Sequence, residues 1–341
     1  MILVTGNYKH MAKSLLGIAI TQKTWLPGKE THVNNSPIDR VVTLLAIACT
    51  LLLNPIPTTA QRWISESICP ENNPALFHEC ALEVANSFDP PRTSDGSPDM
   101  GGNWRHPNGD NGGAYESLEE HYGNPDETGG PATIVDPPDG KLPMHAWALI
   151  QKNENPQQYI HHNAACFLSG IPNTMYHGEE RQFLQTSDYL VILSGNAHGY
   201  RIIALNDRPP VGEDIRLWDG SSIGRWEGNT LVIETTNQTG KSWLDQHGTF
   251  YTEEVHVVER LTLIEPDTIH YQATIDDPNV YTRPFTVAVP YRRNTVEGFE
   301  MPINACHENN ETLLDIYQTI GFDFYPGISP EEARQAIEAQ P

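Results

Sequence analysis

From Tyr189 onward, apolar and polar positions alternate in short runs, each closed by turn-forming residues. The runs Tyr189–Ser194, Gly199–Leu205, Ile223–Trp226, Thr230–Thr235, Glu254–Leu263, Thr268–Asp276, Phe285–Val289 and Phe299–Ile303 are rich in Val, Ile, Tyr, Phe and Thr, which suit a pleated, half-buried surface. Gly195-Asn196, Asp207-Arg208-Pro209-Pro210, Gly228-Asn229 and Glu265-Pro266-Asp267 punctuate them. Because no βαβ alternation appears, the pattern predicts a mainly β fold, an antiparallel meander closing into a barrel or sandwich. Short helices flank it. Phe77, Cys80, Ala81, Val84 and Phe88 recur at helical spacing, and Pro330–Ala339 carries Ser329 as a cap, Pro330 at its first position and Glu331-Glu332 in its first turn.

The remaining stretches differ in kind. Residues 89–143 are dense in Gly, Pro, Asn and Asp and keep no period, so they read as an irregular surface segment. Near the N-terminus, Arg40 precedes the apolar run Val41–Leu53, followed by Pro55, Pro57 and Thr58-Thr59-Ala60. That is the order of a secretory signal with cleavage after Ala60, and the run is too short to anchor a helix stably in a bilayer. The expected organisation is a targeting segment over 1–60, a Gly/Pro-rich extension with one short helix over 61–143, a β domain over 144–325 and a C-terminal helix over 326–341.

Charge and cysteine content sharpen this. The chain has 21 basic and 44 acidic side chains, a net charge of −23. Loss of residues 1–60 would remove Lys9, Lys13, Lys23, Lys29, Arg40, Glu30 and Asp39 and leave 16 basic against 42 acidic groups, net −26. Such an excess argues against nucleic acid as a partner, since phosphate contacts need clustered Lys and Arg. Cys69, Cys80, Cys166 and Cys306 would remain, an even set that in an exported chain favours disulfides. Four cysteines allow three pairings, and sequence proximity favours Cys69–Cys80 with Cys166–Cys306. No CxxC spacing and no paired-histidine helix motif marks a metal site, although His161, His162, His177, His198 and His307 fall partly near cysteines. No phosphate-binding glycine loop is found, so no cofactor is expected.

Two segments, Pro137-Pro138-Asp139-Gly140-Lys141-Leu142-Pro143 and Gly220-Ser221-Ser222-Ile223-Gly224-Arg225-Trp226-Glu227-Gly228-Asn229-Thr230-Leu231-Val232-Ile233-Glu234-Thr235, resemble a large family of exported bacterial proteins of unassigned function. The resemblance continues through Trp243-Leu244-Asp245, His256-Val257-Val258-Glu259-Arg260, Tyr281-Thr282-Arg283-Pro284 and Cys306-His307-Glu308-Asn309-Asn310. It implies an exported, mostly β domain and carries over no catalytic residue. Asn229 stands where the family pattern has Asp.

Candidate chemistry comes from strand parity. In Glu254–Leu263 the odd positions Val255, Val257, Leu261 and Leu263 form an apolar face with Glu259 among them. In the next strand Ile269, Tyr271, Ala273 and Ile275 share a face that continues to Asp277. Two inward carboxyls in unequal environments would suit general acid/base work; alternatively, Arg201 could pair with Glu259 and fix the register. His256, on the opposite face, is a second candidate base. Tyr281 and Arg283 could orient a carbonyl or anionic group, and Trp218, Trp226 and Trp243, with Arg201 and Tyr271, could line a pocket for an apolar or aromatic molecule. The reading is an exported barrel-like protein that encloses such a molecule and transforms it by metal-independent acid/base chemistry of the isomerase, lyase or cyclase type. A non-catalytic carrier or sensor and a surface interaction protein are the alternatives.

Overall fold

The computed structural model describes residues 67–107, 116–122, 129–176, 180–195, 199–206, 208–302, 306–307 and 310–340. The expected signal segment, its cleavage site, His177 and His198 lie outside them. The strands are β1 (Gly102–Arg105), β2 (Ile134–Asp136), β3 (Tyr159–Ile160), β4 (Arg181–Gln185), β5 (Tyr189–Ser194), β6 (Tyr200–Ala204), β7 (Ser221–Glu227), β8 (Thr230–Thr236), β9 (His256–Glu265), β10 (Thr268–Asp276), β11 (Phe285–Arg293) and β12 (Asp323–Phe324). The helices are α1 (Pro74–Ala85), α2 (Ala146–Gln158), α3 (Asn173–Tyr176), α4 (Glu311–Thr319) and α5 (Pro330–Glu338). Ser329 caps α5 as the sequence pattern predicts, and Glu332 reaches back to complete a reciprocal capping box.

Strands β4 to β11 follow one another round the sheet, and β1 pairs with both β4 and β11 to close a nine-strand barrel. The long β11 has room for β2 as well, opposite Thr286 and Val287, while β1 takes Arg292 and Arg293. Residues 61–143, expected as an extension outside the β domain, therefore supply the strand that completes it. The expected strand Phe299–Ile303 does not form over 299–302; its first residues follow the turn that ends β11 and find no free edge in a closed barrel.

Strand directions cannot alternate all the way round a closed ring of nine, so one neighbouring pair must run parallel. That pair is β6 and β7, which meet in register only at Ala204 and Ile223, whereas every other pairing of the ring is antiparallel. Beyond that single register position β6 and β7 are not paired, and the wall is open between them. Elsewhere the lumen is filled by Phe183, Ile192, Ile203, Leu231, Ile233, Leu261, Ile269, Tyr271 and Tyr291, all fully or nearly fully buried. The barrel centre is therefore a packed core, and a bound molecule has to be sought in the wall.

Helix α1 covers part of the outer face. Cys69, Phe77, Ala81 and Ile264 form a small apolar cluster beneath it. His78 Nδ1 lies 3.0 Å from His270 Nε2, so one ring donates and the other accepts. Burial pushes His270 down to about 3, with a further contribution from His78, and burial likewise pushes His106 down to about 4. Both rings stay neutral in the folded chain, whereas the unfolded chain takes up their protons near pH 6.5. Their contribution is therefore intact above about pH 6.5 and is lost as pH falls toward 3–4, on the order of 5 kcal/mol for His270 and 3 kcal/mol for His106. The raised carboxyls Asp219 and Asp277 act in the opposite sense. His270→Gln is expected to flatten the acid limb of a Tm against pH curve. An unchanged limb would remove His270 as its source.

Candidate functional site

The inward parity of β9 and β10 is as the alternation predicts: Val257, Glu259, Leu261, Ile269, Tyr271, Ala273 and Ile275 are fully buried. Of the two readings of Glu259, the structure shows the pair with Arg201 and not a free acid or base. Arg201, inward on β6, donates from Nη1 to Glu259 Oε1 at 3.0 Å and from Nη2 to Glu259 Oε2, making a bidentate pair. Arg201 Nε donates to Ser222 Oγ at 2.9 Å and Nη2 to Thr235 Oγ1 at 2.7 Å, while Tyr271 Oη donates to Glu259 Oε1 at 3.0 Å. Glu259 is thus fully engaged by a fixed cation and a phenol. With Thr235 Oγ1 as a fourth contact on Oε2 at 3.5 Å, a carboxylate held this way has no lone pair free for proton transfer, and the network ties five strands, β6 to β10, in register.

The proposed partner lies elsewhere. Ala273 stands opposite Glu259, so Asp277 is four residues further on, about 13 Å along the strand. Its Oδ2 accepts the Thr252 N–H at 2.6 Å and its Oδ1 the Asn279 N–H at 3.1 Å, closing a turn at the barrel end. Burial raises this carboxyl and the hydrogen bonds partly offset it. Glu259 and Asp277 do not form a catalytic pair.

The other candidates also separate. Tyr281 is buried and donates to the Phe250 carbonyl at 2.7 Å; burial drives its phenol well above the usual range. Arg283 is exposed on the outer surface and pairs with Asp136. His256 lies outside too, 3.7 Å from Glu234, in a solvated lattice with Arg225, Glu227 and Arg260. Trp243 sits in the core, edge-on to Tyr325. Trp226 packs half-buried against the core, and Tyr271 belongs to the ion-pair network.

Two of the candidates do meet at a cavity. Where β6 and β7 splay, a cavity of about 580 Å³ opens in the wall, lined by Phe167, Tyr200, Arg201, Trp218, Asp219 and His307 among others. That size suits a small organic molecule. Trp218 stacks on Phe167 with ring centroids 4.9 Å apart. Arg201 and Ser222, at the edge of the buried network, form part of the same lining.

Local chemistry builds this wall. The Leu217 N–H donates to the Asn237 carbonyl at 2.9 Å and the Thr239 N–H to the Leu217 carbonyl at 3.1 Å, holding the segment before Trp218 beside the end of β8. Gly220 then turns at φ +67°, where an added Cβ would sit 2.4 Å from the Thr236 carbonyl. On the facing side Gln238 clasps the Ile171 backbone, accepting its N–H at 2.8 Å and donating to its carbonyl at 2.9 Å. This brings Gly170, at φ +73°, close enough for its N–H to donate to Asp219 Oδ1 at 3.1 Å. The disulfide Cys166–Cys306 brings His307 to the rim, and Asn310 Nδ2 reinforces it by donating to the Ala164 carbonyl at 2.9 Å.

Asp219 is the residue that the sequence reading passed over. It lies outside the strands, so parity cannot find it; the only local signal is the turn-forming Trp218-Asp219-Gly220. It is 8% exposed. Burial raises its carboxyl, Arg201 and the Gly170 N–H draw it back, and the result remains above the ordinary carboxylate range. Among the described residues no group of three or more His, Cys, Asp or Glu is placed to hold a metal ion. Comparison with known proteins finds no matching protein-family model and no curated protein with significant similarity to the chain.

Proposed function

We propose that this is an exported β-barrel protein that holds a small, largely apolar or aromatic molecule in the cavity between β6 and β7, and that Asp219 is the group that exchanges a proton with it. The observation that carries the reading is the cavity itself, where a stacked aromatic wall meets a buried, under-neutralised carboxyl. Stacked aromatics offer apolar area with little entropy to lose, and a titratable group raised by burial in such a pocket is a candidate functional group. Export is supported by two disulfides and the apolar run Val41–Leu53, and no helix among the described residues is long and apolar enough to cross a membrane.

The resemblance to exported proteins of unassigned function agrees with this reading but adds no chemistry. Trp218→Ala should weaken binding of benzyl alcohol, a neutral aromatic probe, by about tenfold, the loss of one aromatic contact and its buried area. Titration calorimetry measures it, with Tm as the control for folding. Equal affinity in the variant would reject the cavity as the binding site.

A further inference from the structure

The occupant's charge can be argued from the cavity's own imbalance. Asp219 Oδ1 is used twice, accepting from the Gly170 N–H at 3.1 Å and from Thr174 Oγ1 at 3.4 Å. Oδ2 has no partner among the described residues, and Asp219 is part of the cavity lining. The nearest fixed cation does not resolve this. Arg201 is committed to Glu259 through two of its nitrogens, so the pair is neutral as a unit and Asp219 adds a negative charge that the buried wall leaves unbalanced. Arg208 and His307 also line the cavity, but both are exposed, where solvent and salt screen them.

The surroundings favour a cation in three ways. The aromatic faces of Phe167 and Trp218, with exposed Tyr200, attract positive charge through their quadrupoles. The chain's net charge of −23 draws cations and repels anions over a longer range. A donor on the ligand would also supply a partner for Oδ2 where Asp219 lines the cavity, and a hydrogen bond to a charged acceptor is among the stronger ones.

Resting on the reading of this cavity as a small-molecule site, we infer that the occupant is a protonated amine carried on an aromatic or similarly apolar body. Its ammonium donates to Asp219 Oδ2 and its body lies against the Phe167–Trp218 stack. An ammonium there would hold the carboxylate ionised and make Asp219 the acceptor of any proton the amine releases.

Three probes with one aromatic body and different charge test this: benzylamine (protonated at neutral pH), benzyl alcohol and benzoate, each titrated into the full chain. The expected order is benzylamine tightest, about tenfold above benzyl alcohol for one charge-assisted hydrogen bond, with benzoate weakest. In Asp219→Asn, which keeps an oxygen for Gly170 and Thr174, the ratio of benzylamine to benzyl alcohol affinity should fall from about ten to about one. Benzyl alcohol or benzoate binding as tightly as benzylamine to the unaltered chain would overturn the inference and leave the cavity reading standing. Persistence of the benzylamine advantage in Asp219→Asn would also overturn it. Failure of all three probes to bind would overturn both.

Discussion

Arg201→Met is expected to destabilise the protein by about 3–5 kcal/mol, because it leaves the Glu259 carboxylate buried without its cation. For a domain of this size that corresponds to a Tm lower by roughly 10 °C. Glu259 is 0% exposed and Arg201 5%, so water cannot take over the role of the lost partner. Tyr271 would still donate to Glu259, but one phenol does not balance a charge. The double variant Arg201→Met/Glu259→Leu should recover most of the loss, since an apolar pair of similar volume avoids the desolvation of both ions. Denaturant unfolding of the two single variants and the double variant measures the coupling. A single-variant loss below about 1 kcal/mol would mean that the pair is worth no more than a surface ion pair.

Loss of Cys166–Cys306 is the second large effect. The bridge spans a sequence separation of 140, and the chain-entropy account gives about 5 kcal/mol for a loop of that length as an upper value. Cys69–Cys80 spans only 11, for which the same relation gives about 3 kcal/mol. The Cys166→Ser/Cys306→Ser variant should therefore lose more stability than Cys69→Ser/Cys80→Ser. It should also lose affinity for benzyl alcohol, because Cys166 and His307 are part of the cavity wall and the bridge fixes Cys306, the neighbour of His307. The other pair staples the loop before α1 to that helix, away from the seam, and its removal should leave binding intact. Equal losses of stability, or binding unaffected by the first variant, would show that the long bridge does not organise the cavity.

The strands were legible in the sequence because a barrel with a packed lumen and a solvated exterior imposes a period of two. Tyr189–Ser194 and Thr268–Asp276 coincide with β5 and β10, and the parity of Glu259 with Val257 and Leu261 correctly turns it inward. Less was legible where that period fails. β1 spans only Gly102–Arg105 within a segment dominated by Gly, Pro and Asn, and its identity as a strand comes from the two edges, β4 and β11, waiting to be joined. Helix α2 contains Pro156 and Asn155, poor helix formers, yet Asn155 is buried and donates to the Gly248 carbonyl at 3.0 Å. Tertiary contacts stabilise what local propensity disfavours.

The candidate site shows the same division more sharply. Sequence alone determined a β fold of alternating strands, an inward carboxylate at position 259 and a strongly acidic chain, because side-chain period and charge count are local or additive properties. The two disulfide partnerships suggested by spacing are also those that form. Only the tertiary structure decided between the two readings of Glu259 by seating it on Arg201, placed Asp277 in a distant turn, and set Asp219 in the cavity wall. The physical reason is closure. Nine strands in a ring require one parallel pair, that pair splays, and the opening it leaves in the wall is a property of strand number and direction that no single segment of the chain contains.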